Sequence, residues 1–296
     1  MGDSAVCPSC GRVVSEGAAC EHCATRLREG VELPTVPISP GEAISSAPRA
    51  FAIEGYRILR KLGQGGMGVV VYLAEDSVFN RRVAIKVITA GLADEPAADA
   101  FFLRKARAMA TVEHPNVVRI YSFGESTGSA YLVMEYVEGE TLAERLRAQG
   151  RLSVEEAIPL ALQITDALDA AWEKGIVHRD VKPANVLIDS RGRVRVGDFG
   201  LAKMVSTRED ASLTRAGLIM GTPDYLSPEQ ARGESVDFRS DIYSLGVLLY
   251  EILAGSRPFA GTTPIAIVAH HLHTEPRPLR ELRPTRRPAS SPWWKP

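Results

Sequence analysis

The chain has 296 residues, 45% hydrophobic and 24% charged, the make-up of an ordinary globular protein with enough apolar material for one two-lobed domain and a small appendage. Its 35 Lys and Arg against 36 Asp and Glu leave a net charge of −1, which excludes a broad basic field aimed at nucleic acid or an anionic membrane. The longest apolar run, from Ile242 to Leu253, is broken by Ser244, Gly246 and Glu251, and no basic segment followed by an apolar run opens the chain. The expectation is a chain with no membrane insertion and no secretory signal, located in the cytoplasm.

All four cysteines fall within the first 23 residues. Cys7-Pro8-Ser9-Cys10 and Cys20-Glu21-His22-Cys23 are two CxxC knuckles with nine residues between them, which suits one tetrahedral Zn²⁺ held by four thiolates. The alternative is a pair of disulfides. So short a segment cannot bury a core, and a metal would supply most of its folding energy. Residues 1–30 are therefore expected to form a zinc ribbon, with His22 a bystander. Pro34, Pro37, Pro40 and Pro48 follow among small residues, and because proline fixes φ and removes amide donors, residues 31–55 read as an extended linker.

From Tyr56 the pattern changes. Tyr56 to Leu62, Val69 to Ala74 and Val83 to Ile88 read as strands, an Ala-rich segment near Ala97 to Thr111 as a helix, and Val117 to Phe123 and Ala130 to Tyr136 as two more strands. After Thr141 helical patterns dominate. Ser153 with Glu156 three positions on forms a capping-box signature before Leu160, Ile164, Leu168 and Ala171, and Pro159 is expected to bend this helix or to mark its start. A strand-rich half followed by a helix-rich half predicts an α+β fold of two lobes with a cleft between them.

Between the first two strands lies Gly63-Gln64-Gly65-Gly66-Met67-Gly68, a GxGxxG in which backbone amides can approach phosphates without Cβ interference. Dinucleotide-binding folds use the same spacing but need a helix next, whereas Val69, Val70 and Val71 favour a strand. Val83-Ala84-Ile85-Lys86 places one lysine on a strand, where it could meet phosphates. His178-Arg179-Asp180-Val181-Lys182-Pro183-Ala184-Asn185, Asp198-Phe199-Gly200 and Ser227-Pro228-Glu229 follow in that order.

These elements together resemble the eukaryotic-like (Hanks-type) Ser/Thr protein kinases of bacteria, over residues 56–284. The resemblance implies an ATP- and Mg²⁺-dependent transfer of the γ-phosphate to Ser/Thr hydroxyls of protein substrates, in signalling. It implies that Asp180 orients the substrate hydroxyl or accepts its proton, that Asn185 and Asp198 hold Mg²⁺, and that Lys182 steadies the γ-phosphate. Gly63, Gly65, Gly68, Val70 and Lys86 would surround the nucleotide. Backbone groups of Glu135 and Val137, in the hinge after Met134, would hold adenine. Arg179 implies a basic pocket for a phosphorylated loop residue, with Thr214 first and Ser212 second. A cytoplasmic kinase context also favours zinc over disulfides at Cys7, Cys10, Cys20 and Cys23, with a protein partner for the ribbon rather than nucleic acid. His270, His271 and His273 read as a helix surface.

Three departures from the family pattern stand out. Lys105 occupies the helix position whose glutamate should pair with Lys86, a charge reversal that Asp99 and Glu113 lie too far along the chain to offset. One extra residue between Gly68 and Tyr72 must be absorbed as a bulge or wider loop, or it would flip the strand's faces. After Pro284 the sequence leaves the family pattern; residues 285–296 read as an atypical, out-of-frame tail on a C-terminally incomplete domain, which would leave Glu229 without its arginine. The alternative function is therefore a pseudokinase or scaffold with weak or no turnover.

Overall fold

A computed structural model describes residues 4–6, 13–15, 53–65, 69–88, 106–126, 129–199 and 223–282. The chain divides into two units, Met1–Arg49 and Ala50–Pro296. In the first, β1 (Ser4–Val6) and β2 (Val13–Ser15) pair antiparallel with Ala5 opposite Val14.

The second unit opens with an antiparallel five-stranded sheet in the order β3-β4-β5-β7-β6. Its strands are β3 (Tyr56–Gln64), β4 (Val69–Asp76), β5 (Arg81–Ile88), β6 (Ile120–Ser126) and β7 (Ser129–Glu135). Side chains alternate along a strand, so pairing fixes the faces. Val71, Lys86 and Leu132 form one row, and Leu73, Ala84 and Met134 the next row on the same face. Ala74, Val83, Ile85, Val87 and Val133 bury the other face. Both faces are covered from Val83 on, which is why β5 reads from there to Ile88 as an apolar run interrupted only by Lys86.

The extra residue expected to disturb β4 does not bulge it. β4 keeps continuous register with β5 from Val69 to Asp76, and the irregularities fall on β3, where Leu59 and Leu62 are skipped in the pairing. Against two neighbours a central strand cannot slip without losing both ladders, whereas edge strand β3 has only one to satisfy.

Helix α1 covers described residues 106–110, and residues 112–119 then lead into β6. The strand expected from Val117 begins at Ile120, because residues 116–118 bond elsewhere. Val196 N–H donates to Asn116 O at 2.7 Å and Val118 N–H to Val196 O at 2.9 Å. These bonds tie the strand-rich lobe to a second sheet, β10-β9-β8, of β8 (Gly139–Thr141), β9 (Val186–Asp189) and β10 (Val194–Val196).

The helical lobe is built on α2 (Leu142–Gln149), α3 (Val154–Trp172), α4 (Pro228–Arg232), α5 (Phe238–Ala254), α6 (Pro264–His273) and α7 (Leu279–Leu282). The Ser153–Glu156 capping box forms as expected. Pro159 does not start α3: it sits inside the helix, whose first turn is set by Ser153. Ile164, Leu168, Leu248 and Ile252, all fully buried, form the centre of this lobe's core.

Candidate active site

The glycine loop is described up to Gly65, whose N–H donates to Val69 O at 2.8 Å and closes the β3–β4 turn. Gly63 pairs with Val71 at the end of β3. Gly68 lies outside the described residues. Val70, expected beside the nucleotide, pairs with Val87 in the row of Tyr131, on the sheet face opposite Lys86. The valine sharing the row and face of Lys86 is Val71. The added residue before Tyr72 shifted the sequence count by one, and strand alternation turns a shift of one into a change of face.

Lys86 is 3% exposed, so its ammonium cannot stay unpaired. It meets Asp198 Oδ1 at 2.7 Å. Burial pushes the Asp198 carboxyl up, but the Lys86 charge and hydrogen bond outweigh it and hold Asp198 below the ordinary carboxylate range. Asp198 also adopts φ 58, a left-handed conformation unusual for a non-glycine residue. Lys105 lies outside the described residues.

The loop from His178 to Asn185 carries a connected polar network. Lys182 Nζ donates to Asp180 Oδ2 at 2.7 Å. Asn185 Nδ2 donates to Asp180 O at 2.8 Å and to Asp180 Oδ2 at 3.1 Å. Both bonds use the amide nitrogen, which fixes the orientation of Asn185 and turns its carbonyl oxygen away from Asp180. A 3₁₀ turn, Pro183–Asn185, sets the approach, with Pro183 supplying a fixed φ at its first position.

His178 is fully buried and holds this loop against the Asp198 segment. Its Nε2 donates to Gly197 O at 3.0 Å, and its Nδ1 accepts from Asp180 N–H at 3.2 Å. One nitrogen must give and the other take, so the ring is neutral with the proton on Nε2. Burial drives its pKa down, against the opposing pull of Asp241 and Asp180. Phe199 packs on it at 4.3 Å between ring centroids.

Sequence reasoning missed Asp241. It is fully buried on α5 and accepts three N–H groups: His178 and Arg179 backbone, each at 2.8 Å, and Trp172 Nε1 at 2.9 Å. These bonds hold Arg179 at φ 66, a second left-handed residue in the site. The signal was present: Asp241 stands on the stripe that continues through Leu245, Leu248 and Ile252, where periodicity asks for an apolar residue.

At the hinge, Met134 belongs to the Lys86 face, and Val137 packs on the same cluster. Glu135 N–H donates to Arg119 O at 2.8 Å. Thr214, Ser212 and the four cysteines lie outside the described residues. Glu229, expected to be left unpaired, is partly exposed and accepts from the Ser240 hydroxyl. His271 also departs from expectation. It is 5% exposed rather than on a helix surface, with Nε2 donating to Asp224 O at 3.1 Å and Nδ1 accepting from Tyr243 OH at 2.9 Å. His270 and His273 lie nearer the surface, and no cluster among the described residues could hold a metal through three or more His, Cys, Asp or Glu side chains. No described helix is long and apolar enough to cross a membrane.

The family model for the protein kinase domain matches residues 56–294. The chain is 46% identical over 243 residues to the serine/threonine-protein kinase pkn2 of Myxococcus xanthus, covering 81% of this chain and 29% of that protein. It is 43% identical over 230 residues to the serine/threonine-protein kinase PrkC of Bacillus subtilis, covering 78% of this chain and 35% of that protein. The chain thus spans about a third of the length of the curated relatives it matches. The crystal structure of the Mycobacterium tuberculosis PknI kinase domain superposes with a TM-score of 0.61 at 28% identity, over 79% of this chain and 83% of that one. With the Asp180, Lys182, Asn185 and Asp198 arrangement in place on a two-lobed scaffold, the chain belongs to the protein kinase domain family, on its bacterial Ser/Thr-kinase branch.

Proposed function

We propose that this chain transfers the γ-phosphoryl group of ATP to Ser or Thr hydroxyls of protein substrates. The observation that carries the reading is the bonded cluster of Asp180, Lys182 and Asn185, held by His178 against the segment carrying the ionised Asp198. Phosphoryl transfer needs reactants positioned in line and charge neutralised more than it needs covalent chemistry. Asp180 is placed to orient the substrate hydroxyl and take its proton. Lys182, already on Asp180, brings a positive charge to the same point, where it can meet the transferring group.

The donor set fits Mg²⁺. The Asp198 carboxylate and the Asn185 carbonyl, which the amide bonds to Asp180 leave pointing elsewhere, are both hard oxygen ligands. Asp198 and Asn185 would hold Mg²⁺ there, and the ion would supply charge neutralisation for the phosphates of bound ATP. Lys86, on the strand above, would meet the phosphates from the opposite side, with Gly63, Gly65 and Gly68 covering them. Val71 and Ala84 share the Lys86 face and form the adenine ceiling in preference to Val70. Glu135 and Val137 would hold adenine through their backbone.

A second reading, a pseudokinase or scaffold, has one observation in its favour. The carboxylate needed for Mg²⁺ is engaged by Lys86 at 2.7 Å, and the sequence position where the family pattern has a glutamate to draw Lys86 away carries Lys105. A radiolabelled ATP assay of the purified chain beside Asp180→Asn separates the two. Incorporation into a Ser/Thr substrate that the variant lacks supports the kinase, and equal background in both supports the scaffold.

The cysteine pairs are proposed to bind one structural Zn²⁺ as Cys7, Cys10, Cys20 and Cys23, forming a ribbon that meets a partner protein. Support comes from their spacing and from the β1–β2 hairpin, whose strands flank Cys7 and Cys10 in sequence. Elemental analysis of chelator-free protein should find about one zinc per chain; none would remove the proposal.

A further inference from the structure

Two ion pairs among the described residues join the strand-rich lobe to the catalytic segments that follow Asp180. One is Lys86 with Asp198, already part of the site. The other lies behind the hinge, where Arg195 Nε on β10 meets Glu135 Oε1 on β7 at 3.4 Å.

This second pair has features that a surface ion pair lacks. The Arg195 side chain is 14% exposed and that of Glu135 28%. A guanidinium that far out of water is held by its partners, and Arg195 Nη1 also donates to Val194 O at 3.2 Å. The other Glu135 oxygen, Oε2, accepts from Arg119 N–H at 3.4 Å, and Glu135 N–H returns a bond to Arg119 O at 2.8 Å. The end of β7 is therefore clamped from two directions. Residues 116–119 hold it on one side, and they are themselves bonded to β10 through Asn116 and Val118. Arg195 holds it on the other. Glu135 stands in the row of Val83, on the sheet face away from Lys86, so its side chain can act as an anchor without entering the Lys86 face.

We propose that Arg195 is a positioning residue for nucleotide binding: through the Glu135 carboxylate it fixes the backbone from Glu135 to Val137 in the geometry that receives the adenine ring. The proposal rests on the kinase reading of the hinge. Arg195 touches no reacting atom, and its effect is on how well ordered the adenine-binding backbone is before ATP arrives.

The test uses the full chain and Arg195→Met, Arg195→Lys, Glu135→Gln and the Arg195→Met/Glu135→Gln double variant. ATP affinity is measured by direct titration, with KM for ATP, KM for peptide, kcat and the thermal midpoint. Lys86→Met is the control for the site itself, and ATP affinity equal in wild type and Lys86→Met would overturn the kinase reading rather than this one. Arg195→Met should weaken ATP binding about fivefold to tenfold, with KM for peptide unchanged. Arg195→Lys should recover part of the loss, and the double variant should lose no more than Arg195→Met alone, because both break one contact. A lowered thermal midpoint with ATP affinity unchanged would make Arg195 merely structural and overturn the proposal. A raised kcat at unchanged ATP affinity would overturn it too, since the pair would then be restraining lobe movement. Should Arg195→Met not fold, Arg195→Lys and the near-isosteric Glu135→Gln carry the same comparison.

Discussion

Lys86 lies 3% exposed on β5, so its ammonium needs an anion, and Asp198 supplies one at 2.7 Å. That pairing holds Asp198 ionised but uses one of its oxygens, and in sequence Lys105 stands where the family pattern expects a glutamate partner for Lys86. Lys105→Glu is expected to offer Lys86 a second partner, release Asp198 and raise kcat/KM up to about tenfold, the factor that about 1.4 kcal/mol of bias carries. Steady-state kinetics check it, and equal or lower kcat/KM in the variant would mean that the reversal is tolerated. Asp241 is the residue on which the catalytic loop hangs. Changing it to Asn replaces one acceptor oxygen by a donor facing N–H groups in a fully buried site, which should cost about 3 kcal/mol in denaturant unfolding. Turnover should fall as well, because Arg179 would no longer be held left-handed and Asp180 would lose its seat. Full activity in a folded Asp241→Asn protein would show that the loop is fixed by other contacts.

At the scale of elements, α3 shows how local signals and tertiary demands combine. Ser153 accepts from Glu156 N–H at 3.1 Å while the Glu156 carboxylate accepts from Ser153 N–H at 2.8 Å, so two otherwise orphaned donors are satisfied by residues legible in the sequence. Ser153→Ala should therefore lower stability by about 1 kcal/mol in urea titration while leaving kcat/KM for ATP and peptide unchanged, since this cap is remote from Asp180. The same helix runs through Pro159, which propensity alone would have used as a boundary; burial of Leu160, Ile164 and Leu168 outweighs one lost backbone bond. The β3–β4 pairing makes the converse point. The insertion visible in sequence leaves β4 unbulged, because β4 is locked to β5 along its length, and the pairing irregularities fall on edge strand β3.

Across the whole molecule, acid stability follows from two histidines and a set of carboxylates. Burial lowers the pKa of His178 and of His271 below the ordinary 6.5, so below about pH 6.5 the unfolded chain takes up protons that the folded chain refuses. Their contribution is complete above that value and is lost as pH falls through it. Asp76, Asp189 and Glu229 are each pushed up by burial but pulled further down by the hydrogen bonds they accept, so their stabilisation is present above the ordinary carboxylate range and lost beneath it. The thermal midpoint is expected to hold between pH 8 and 7, fall from about pH 6.5, and fall again below about pH 4. A midpoint unchanged from pH 7 to 5.5 would contradict the histidine account. The sequence by itself determined the two-lobed class and the order of elements, because period and capping chemistry act along a local stretch, and its motifs pointed by resemblance to Asp180, Lys182, Asn185 and Asp198 as candidate site residues. Only the tertiary structure decided that Val71 rather than Val70 shares the Lys86 face, that Lys86 reaches Asp198, that His271 is interior, that Asp241 accepts the His178 and Arg179 amides and that Arg195 meets Glu135. Each of those depends on which distant segments pack together, and a strand's face or a buried charge's partner is fixed by its neighbours across the fold rather than by its neighbours in sequence.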